Sequence, residues 1–231
     1  MNYKIKRKGI STKEYFLSRQ NDQNKLFQEV TRLTKDESAE YKKMYDHLVE
    51  VNENRKNYTP EIIGKSLENL VTFLLDKSAI FSVLNNLHTS TNEIDQLVQL
   101  NPTGKEFRNR GLIDIKDDFF LCECKNYLKK IDVTWVGKFY SLLRVSNGNG
   151  KLGIIFSYYP LSGKSGWTDG IGLTKKIHLK ENYSIISFSR SDYEQILQGS
   201  SLISLIHAKM IALSTDTNYL HHLSEHPAQS I

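Results

Sequence analysis

The chain has 231 residues, 39% of them hydrophobic and 25% charged, with four prolines and two cysteines. Such a composition suits one sizeable core, or one core with a helical appendage, and excludes collagen-like, disordered and disulfide-scaffold classes. Apolar runs such as Leu152 to Phe156 fall far short of the ~20 residues a bilayer span needs, and no apolar stretch follows the basic start Met-Asn-Tyr-Lys-Ile-Lys-Arg-Lys. Neither a membrane span nor a secretory signal is therefore expected, and a cytoplasmic chain is. The net charge of +5 is compatible with a polyanionic partner without establishing one. Lys4, Lys6, Arg7, Lys8 and Lys13 all precede the first acid, Glu14, and that cluster reads first as a solvated tail.

From Thr12 to Asn57 glycine and proline are absent and apolar residues recur at helical spacing. Leu26, Val30 and Leu33 form one stripe, and Tyr41, Tyr45 and Leu48 another. Both stripes are narrow, so these helices should pack on the rest of the molecule or on a second copy. Residues 1–58 are accordingly expected to be an N-terminal helical extension, and a homodimer through it is a candidate assembly. Thr59-Pro60-Glu61 starts a helix cleanly, with a capping hydroxyl, a proline where no amide hydrogen is needed, and a carboxylate at the positive dipole end. The helix should run from Pro60 to about Lys77, with Leu67, Leu70, Val71, Leu74 and Leu75 as its stripe and Glu68 at the stripe's edge.

After Asn92 the period changes to two, with Glu93, Asp95 and Leu97 on one face and Ile94, Gln96 and Val98 on the other, which predicts a strand. A polar stretch from Pro102 to Gly111, a short strand Leu112 to Ile115 and a turn at Asp117-Asp118 should lead to a strong strand from Phe119 to Lys125. Val133 to Val145 reads as a helix, Asn147-Gly148-Asn149-Gly150 as a sharp turn, and Leu152 to Tyr158 as a buried strand. Gly163, Gly166, Gly170 and Gly172 mark a glycine-rich loop. A strand Tyr183 to Phe188 and a helix from about Asp192 to Leu213, interrupted near Gly199, complete a domain over 59–215, with a polar tail over 216–231. The order predicts an α/β class with a mixed central sheet flanked by helices.

The segment Phe119-Phe120-Leu121-Cys122-Glu123-Cys124-Lys125-Asn126 carries the chemistry. Strand alternation puts Glu123 and Lys125 with Leu121 on one face, and Phe120, Cys122 and Cys124 on the other. The thiols then act as small core hydrophobes and cannot face each other as a strain-free disulfide. Charges in the middle of an apolar strand are costly unless paired or serving a site. Asp95 offers a second carboxylate twenty-eight residues before Glu123, and Glu68 a third from a helix edge. A carboxylate pair suits a hard, oxygen-seeking cation such as magnesium, and a lysine beside it can stabilise charge developing on phosphorus.

These residues resemble the PD-(D/E)xK nuclease superfamily, most closely its Mrr-like restriction endonuclease branch. Gly64 to Leu75 is similar to that branch's first helix, Asn-Glu-Ile-Asp (92 to 95) to its Asp strand, and Glu-Cys-Lys-Asn (123 to 126) to its Glu-x-Lys. The Val133 to Leu143 helix and the Gly153 to Ser157 strand fall where the family's would. The resemblance covers about Pro60 to Leu213. It implies a restriction-endonuclease-like fold, Asp95 and Glu123 as metal ligands, Glu68 as an accessory ligand or water-positioning acid, and Lys125 as the catalytic lysine. It further implies a magnesium- or manganese-dependent endonuclease hydrolysing DNA phosphodiester bonds, in restriction or defence against foreign DNA. Two features depart from the pattern: an isoleucine replaces the proline that often precedes the family's Asp, and residues 102–118 lengthen the Asp to Glu spacing. Asp114 is therefore a rival to Asp95. The alternative reading is a catalytically inactive module of the same fold that binds nucleic acid.

Other features read more plainly. Gly64-Lys65-Ser66 and Gly163-Lys164-Ser165 end like a P-loop but lack the glycine five positions earlier, where Thr59 and Tyr158 stand. Cys122 and Cys124 have no second Cys pair or spaced His for zinc. His221, His222 and His226 lie in the polar tail. Lys129, Lys130 and Lys138 with Tyr127 and Trp135, and the loop Lys164 to Lys176 with Trp167, are candidates for following a nucleic-acid backbone.

Overall fold

A computed structural model describes residues 11–88, 93–146, 150–164 and 168–216. The basic start, the glycine turn at 147–149, Trp167 and the three tail histidines lie outside the described residues. Helices α1 (Thr12–Thr31) and α2 (Lys35–Glu53) lead through a short 3-10 turn, Arg55–Asn57, into α3 (Pro60–Lys77). Strands β1 (Phe81–His88) and β2 (Glu93–Leu100) follow, then α4 (Pro102–Asn109), β3 (Phe119–Lys125), α5 (Val133–Val145) and β4 (Leu152–Ser157). The chain ends in α6 (Asp169–Glu181), β5 (Ser184–Phe188), α7 (Arg190–Leu197) and α8 (Leu202–Thr215).

The strands form one five-stranded sheet in sequential order. β1 pairs with β2 and β2 with β3 antiparallel, whereas β3, β4 and β5 run parallel. The chemistry of each strand follows from its place. β4 lies between two parallel neighbours with helices on both faces and is buried at every position, as a central strand's continuous apolar run requires. The crossover helices α5 and α6 bring Val136, Phe139, Leu143 and Ile177 onto Leu121, Ile155 and Ile185. The opposite face carries Phe120, Cys122, Cys124, Ile154, Phe156 and Phe188, under α3, α8 and α2. Gly153 permits the closeness of α5, because a Cβ there would stand 2.6 Å from a Phe139 ring carbon.

The mixed α/β arrangement and the bounds of α3, β3 and α5 match the sequence expectation. Four local expectations need correction. The polar stretch 102–111 contains α4, capped by Asn101 with Pro102 at its first turn; only Gly104 and Phe107 are buried, so no apolar stripe announces it. Leu112 to Ile115 is not a strand: Ile113 and Ile115 are core residues held in an irregular segment. The end of the glycine-rich loop is the start of helix α6, with Gly170 and Gly172 buried inside it. At Gly170 an added Cβ would lie 3.0 Å from the Ile131 carbonyl oxygen, so this glycine serves close packing rather than looseness. Finally, β1 adds an edge strand whose sequence, Phe-Ser-Val-Leu-Asn-Asn-Leu-His, has an irregular apolar pattern.

α2 is seated in the main core rather than beside it. Tyr41, Tyr45, Leu48 and Val51 are buried, the Tyr41 hydroxyl donates to the Tyr193 carbonyl at 3.0 Å, and the Tyr45 hydroxyl to Glu194 Oε1 at 2.9 Å. α1 behaves differently. Only Thr31 is buried, and Phe27 meets Phe107 edge to face at 5.2 Å.

Candidate active site

Three charged side chains meet at one end of the sheet because of register. Gln96 pairs with Cys122 and Leu97 with Leu121, so one further step sets Asp95 opposite Glu123. Residues opposed across antiparallel strands project to the same face, and Lys125, two residues on, joins them. Lys125 Nζ lies 2.5 Å from Glu123 Oε1 and 3.5 Å from Asp95 Oδ2. Asp95 does not continue the backbone ladder. Its Oδ2 accepts the Cys124 N–H at 2.8 Å, which fixes the carboxylate against β3. The three side chains are 16–19% exposed, in contact with solvent, yet their charges interact more strongly than at an open surface.

Burial acts to lower the pKa of Lys125, but Glu123 and then Asp95 outweigh it and hold the group above its ordinary value. Lys125 is consequently an ammonium at neutral pH. The thiols of Cys122 and Cys124 are pushed up by burial first and by nearby carboxylates second. They are neutral core groups, since a reactive cysteine needs a lowered pKa and access.

Glu68 is carried by α3. α3 covers the face of β3 that carries Cys122 and Cys124, opposite to Glu123 and Lys125. Glu68 is half-buried, its Oε1 is 3.8 Å from where a Cβ on Gly64 would stand, and its charge is felt at the Cys124 thiol. Among the described residues, no three Asp, Glu, His or Cys side chains gather closely enough to hold a metal ion. The structure brings Asp95 and Glu123 together on Lys125, and Glu68 is carried by α3, the helix that packs on the cysteine face of the same strand. Asp114 is exposed, and its N–H donates to His207 Nε2 at 3.0 Å. It lines a cavity of about 550 Å³ with Lys151 and Leu152, at the opposite end of the parallel strands from Lys125.

A hydrogen-bonded support lies behind the site that the sequence alone did not suggest. The Arg55 guanidinium donates to Asn52 Oδ1 at 2.7 Å, to Asn126 Oδ1 at 3.2 Å and to the Asn126 carbonyl at 2.6 Å. Asn126 donates in turn to the Ile63 carbonyl at 2.8 Å. The residue after Lys125 is therefore tied to α3 on one side and to the end of α2 on the other. Arg55 stands seventy-one residues from Asn126, and no local pattern reports such a contact.

On the open side Trp135 has Lys138 Nζ 4.5 Å and Lys125 Nζ 5.6 Å from its ring centre, within cation–π reach. Tyr127 packs on the same indole at 5.3 Å between centroids. Lys129, Lys130 and Lys138 are exposed beside it. The Lys164 end of the second basic loop is exposed, whereas Lys175 is paired with Asp216. Gly64-Lys65-Ser66 is helical, with the buried Ser66 hydroxyl donating to the Ile63 carbonyl, so it forms no phosphate-binding loop.

The chain matches no protein-family model, no curated protein and no solved structure. No helix among the described residues is long and apolar enough to cross a membrane.

Proposed function

We propose that the chain is a metal-dependent nuclease that hydrolyses DNA phosphodiester bonds at Asp95, Glu123 and Lys125. The observation that carries this reading is the convergence of two carboxylates and one ammonium on a single face at the β2–β3 end, together with the restriction-endonuclease resemblance of the segments that supply them. The donor set is all oxygen, because both thiols face the core, and so suits a hard cation rather than zinc. Asp95 and Glu123 would hold magnesium or manganese, which when bound supplies positive charge to polarise the scissile phosphate and to acidify a hydrolytic water.

The remaining work belongs to the chain. The Cys124 N–H keeps Asp95 aimed away from the core. Lys125, a cation flanked by Trp135, faces the charge that grows on the phosphoryl oxygens, where a preplaced cation lowers the barrier without reorganisation. In the reaction a water oxygen bonds to phosphorus, the bond to one ester oxygen breaks, and that oxygen leaves with a proton. Lys138, Lys129 and Lys130 provide sequence-independent attraction for the backbone on either side. Glu68 is a candidate for a supporting acid from α3.

Glu123→Gln and Lys125→Met should each lower the rate of magnesium-dependent plasmid cleavage by about 10²-fold or more, with the thermal unfolding curve retained. Full activity in both variants would remove the mechanism. One observation favours a second reading, a nucleic-acid-binding module of the same fold without catalysis: Lys125 already engages both carboxylates, at 2.5 and 3.5 Å, where a metal ion would bind. Calorimetric titration with manganese separates the two. The nuclease binds the ion and Asp95→Asn weakens it, whereas the silent module shows no uptake at millimolar ion.

A further inference from the structure

At the same strand end as the charged trio, on the face of the sheet that α2 and α7 cover, lies a cavity of about 620 Å³, lined by Asn52, Tyr158, Tyr159, Arg190, Ser191 and Glu194 among others. We infer that it receives a single unstacked nucleobase of the strand whose backbone crosses Asp95, Glu123 and Lys125, an assignment that rests on the nucleic-acid reading above. Its position is the first argument. Ser157 is the register partner of Lys125, and Tyr158 and Tyr159 follow it directly. Asn52, also in the lining, accepts from the same Arg55 that holds Asn126. The cavity and the hydrolytic residues therefore share one strand end and one hydrogen-bonded brace.

The lining chemistry is the second argument. The Arg190 guanidinium lies 5.7 Å from the Tyr158 ring centre and donates to the Tyr158 hydroxyl at 3.0 Å. Tyr159 stands edge to face against Tyr158 at 5.1 Å. Tyr158 is itself buried, and the partly exposed Tyr159 ring and the Arg190 guanidinium are planar groups of the kind that stack on nucleobases of any identity. A phosphate is a poor fit: Arg190 is already engaged by Glu194 at 2.9 Å, and Glu53 lines the same opening, so two carboxylates accompany the one guanidinium. A purely apolar ligand would strand the amide, hydroxyl and carboxylate groups of the wall. A flat heterocycle with hydrogen-bonding edges uses both the rings and the polar rim, and the volume lies within the usual range for small-ligand sites. A base reaches such a cavity only when unpaired or turned out of its stack. The inference therefore places unpaired or locally opened strands among the substrates.

The test uses the full chain with a labelled single-stranded oligodeoxynucleotide and an all-abasic strand of equal length, compared by fluorescence anisotropy at one salt concentration without divalent ions. The wild type should bind the intact strand about tenfold tighter or more than the abasic one. Tyr159→Ala removes a stacking ring and Ser191→Trp fills the opening. Both should bring the intact strand down to the abasic affinity while leaving abasic binding and thermal unfolding unchanged. Equal wild-type affinity for the two strands, or undiminished discrimination in both variants, would overturn the assignment. Discrimination without any magnesium-dependent cleavage would retain the cavity's role and discard the hydrolase; cleavage without discrimination would do the reverse.

Discussion

Asp192 performs two functions at the start of α7. It accepts the Ser189 N–H at 2.7 Å, closing a capping box, and its other oxygen holds Lys209 Nζ of α8 at 2.8 Å. Both side chains are nearly sealed from water, and burial draws the Lys209 pKa below its ordinary value even though Asp192 opposes it. Removing one member of a buried pair leaves an uncompensated charge, which costs about 3–5 kcal/mol. Asp192→Ala should accordingly lower stability by that amount in urea titration, and a loss below about 1 kcal/mol would show the pair to be dispensable. His207 offers a test in pH. Burial lowers its pKa from 6.5, against a raising pull from Asp114, and its Nε2 accepts a backbone N–H. The unfolded chain then binds the proton more readily than the folded one, so stability falls as pH drops below about 6.5 and the loss is complete only below the folded value. His207→Gln should flatten this part of the profile, seen as a smaller difference between urea midpoints at about pH 7.5 and pH 5. An unchanged difference would assign the acid sensitivity to other groups.

At the scale of elements, the two N-terminal helices separate in role. α1 exposes Tyr15, Phe16, Leu17 and Leu26, whereas α2 buries four apolar side chains in the sheet's core and hands the chain to Arg55. Each buried side chain of that size contributes about 1.5–3 kcal/mol, so losing all four is comparable with the ~5–15 kcal/mol that keeps a domain folded. Deleting residues 1–25 should leave the unfolding midpoint within about 2–4 °C of the full chain. Deleting residues 1–57 should abolish cooperative unfolding. Light scattering on the shorter deletion also examines the homodimer expected through these helices: a drop from dimer to monomer mass identifies α1 as the assembly element, and an unchanged mass rejects it.

For the whole molecule, sheet topology explains why the candidate site lies where it does. An antiparallel β2–β3 pair brings the start of one strand to the end of the next, so Asp95 meets Glu123 and Lys125 despite their separation in sequence. The parallel β3–β4–β5 half brings Ser157, Tyr158 and the α7 entry to that same end, and open α/β sheets place ligands beyond the carboxyl ends of parallel strands. Hydrolysis and base capture, as proposed, therefore use one edge of the sheet, and Asp114 and His207 occupy the other.

Residue order alone determined the α/β class, the bounds of α3, β3 and α5, and the facing of Glu123 and Lys125 away from the two cysteines. Each of these depends on a local repeat of two or 3.6 residues, a cap or a proline that a short window contains. Tertiary structure decided what no window holds: the meeting of Asp95 with β3, the packing of α3, which carries Glu68, on the cysteine face, the Arg55–Asn126 brace and the helical state of 169–181. The physical reason is that these depend on pairing register and close packing between segments tens of residues apart, where a buried carboxylate, guanidinium or glycine is selected by its distant neighbour rather than by the residues beside it in the chain.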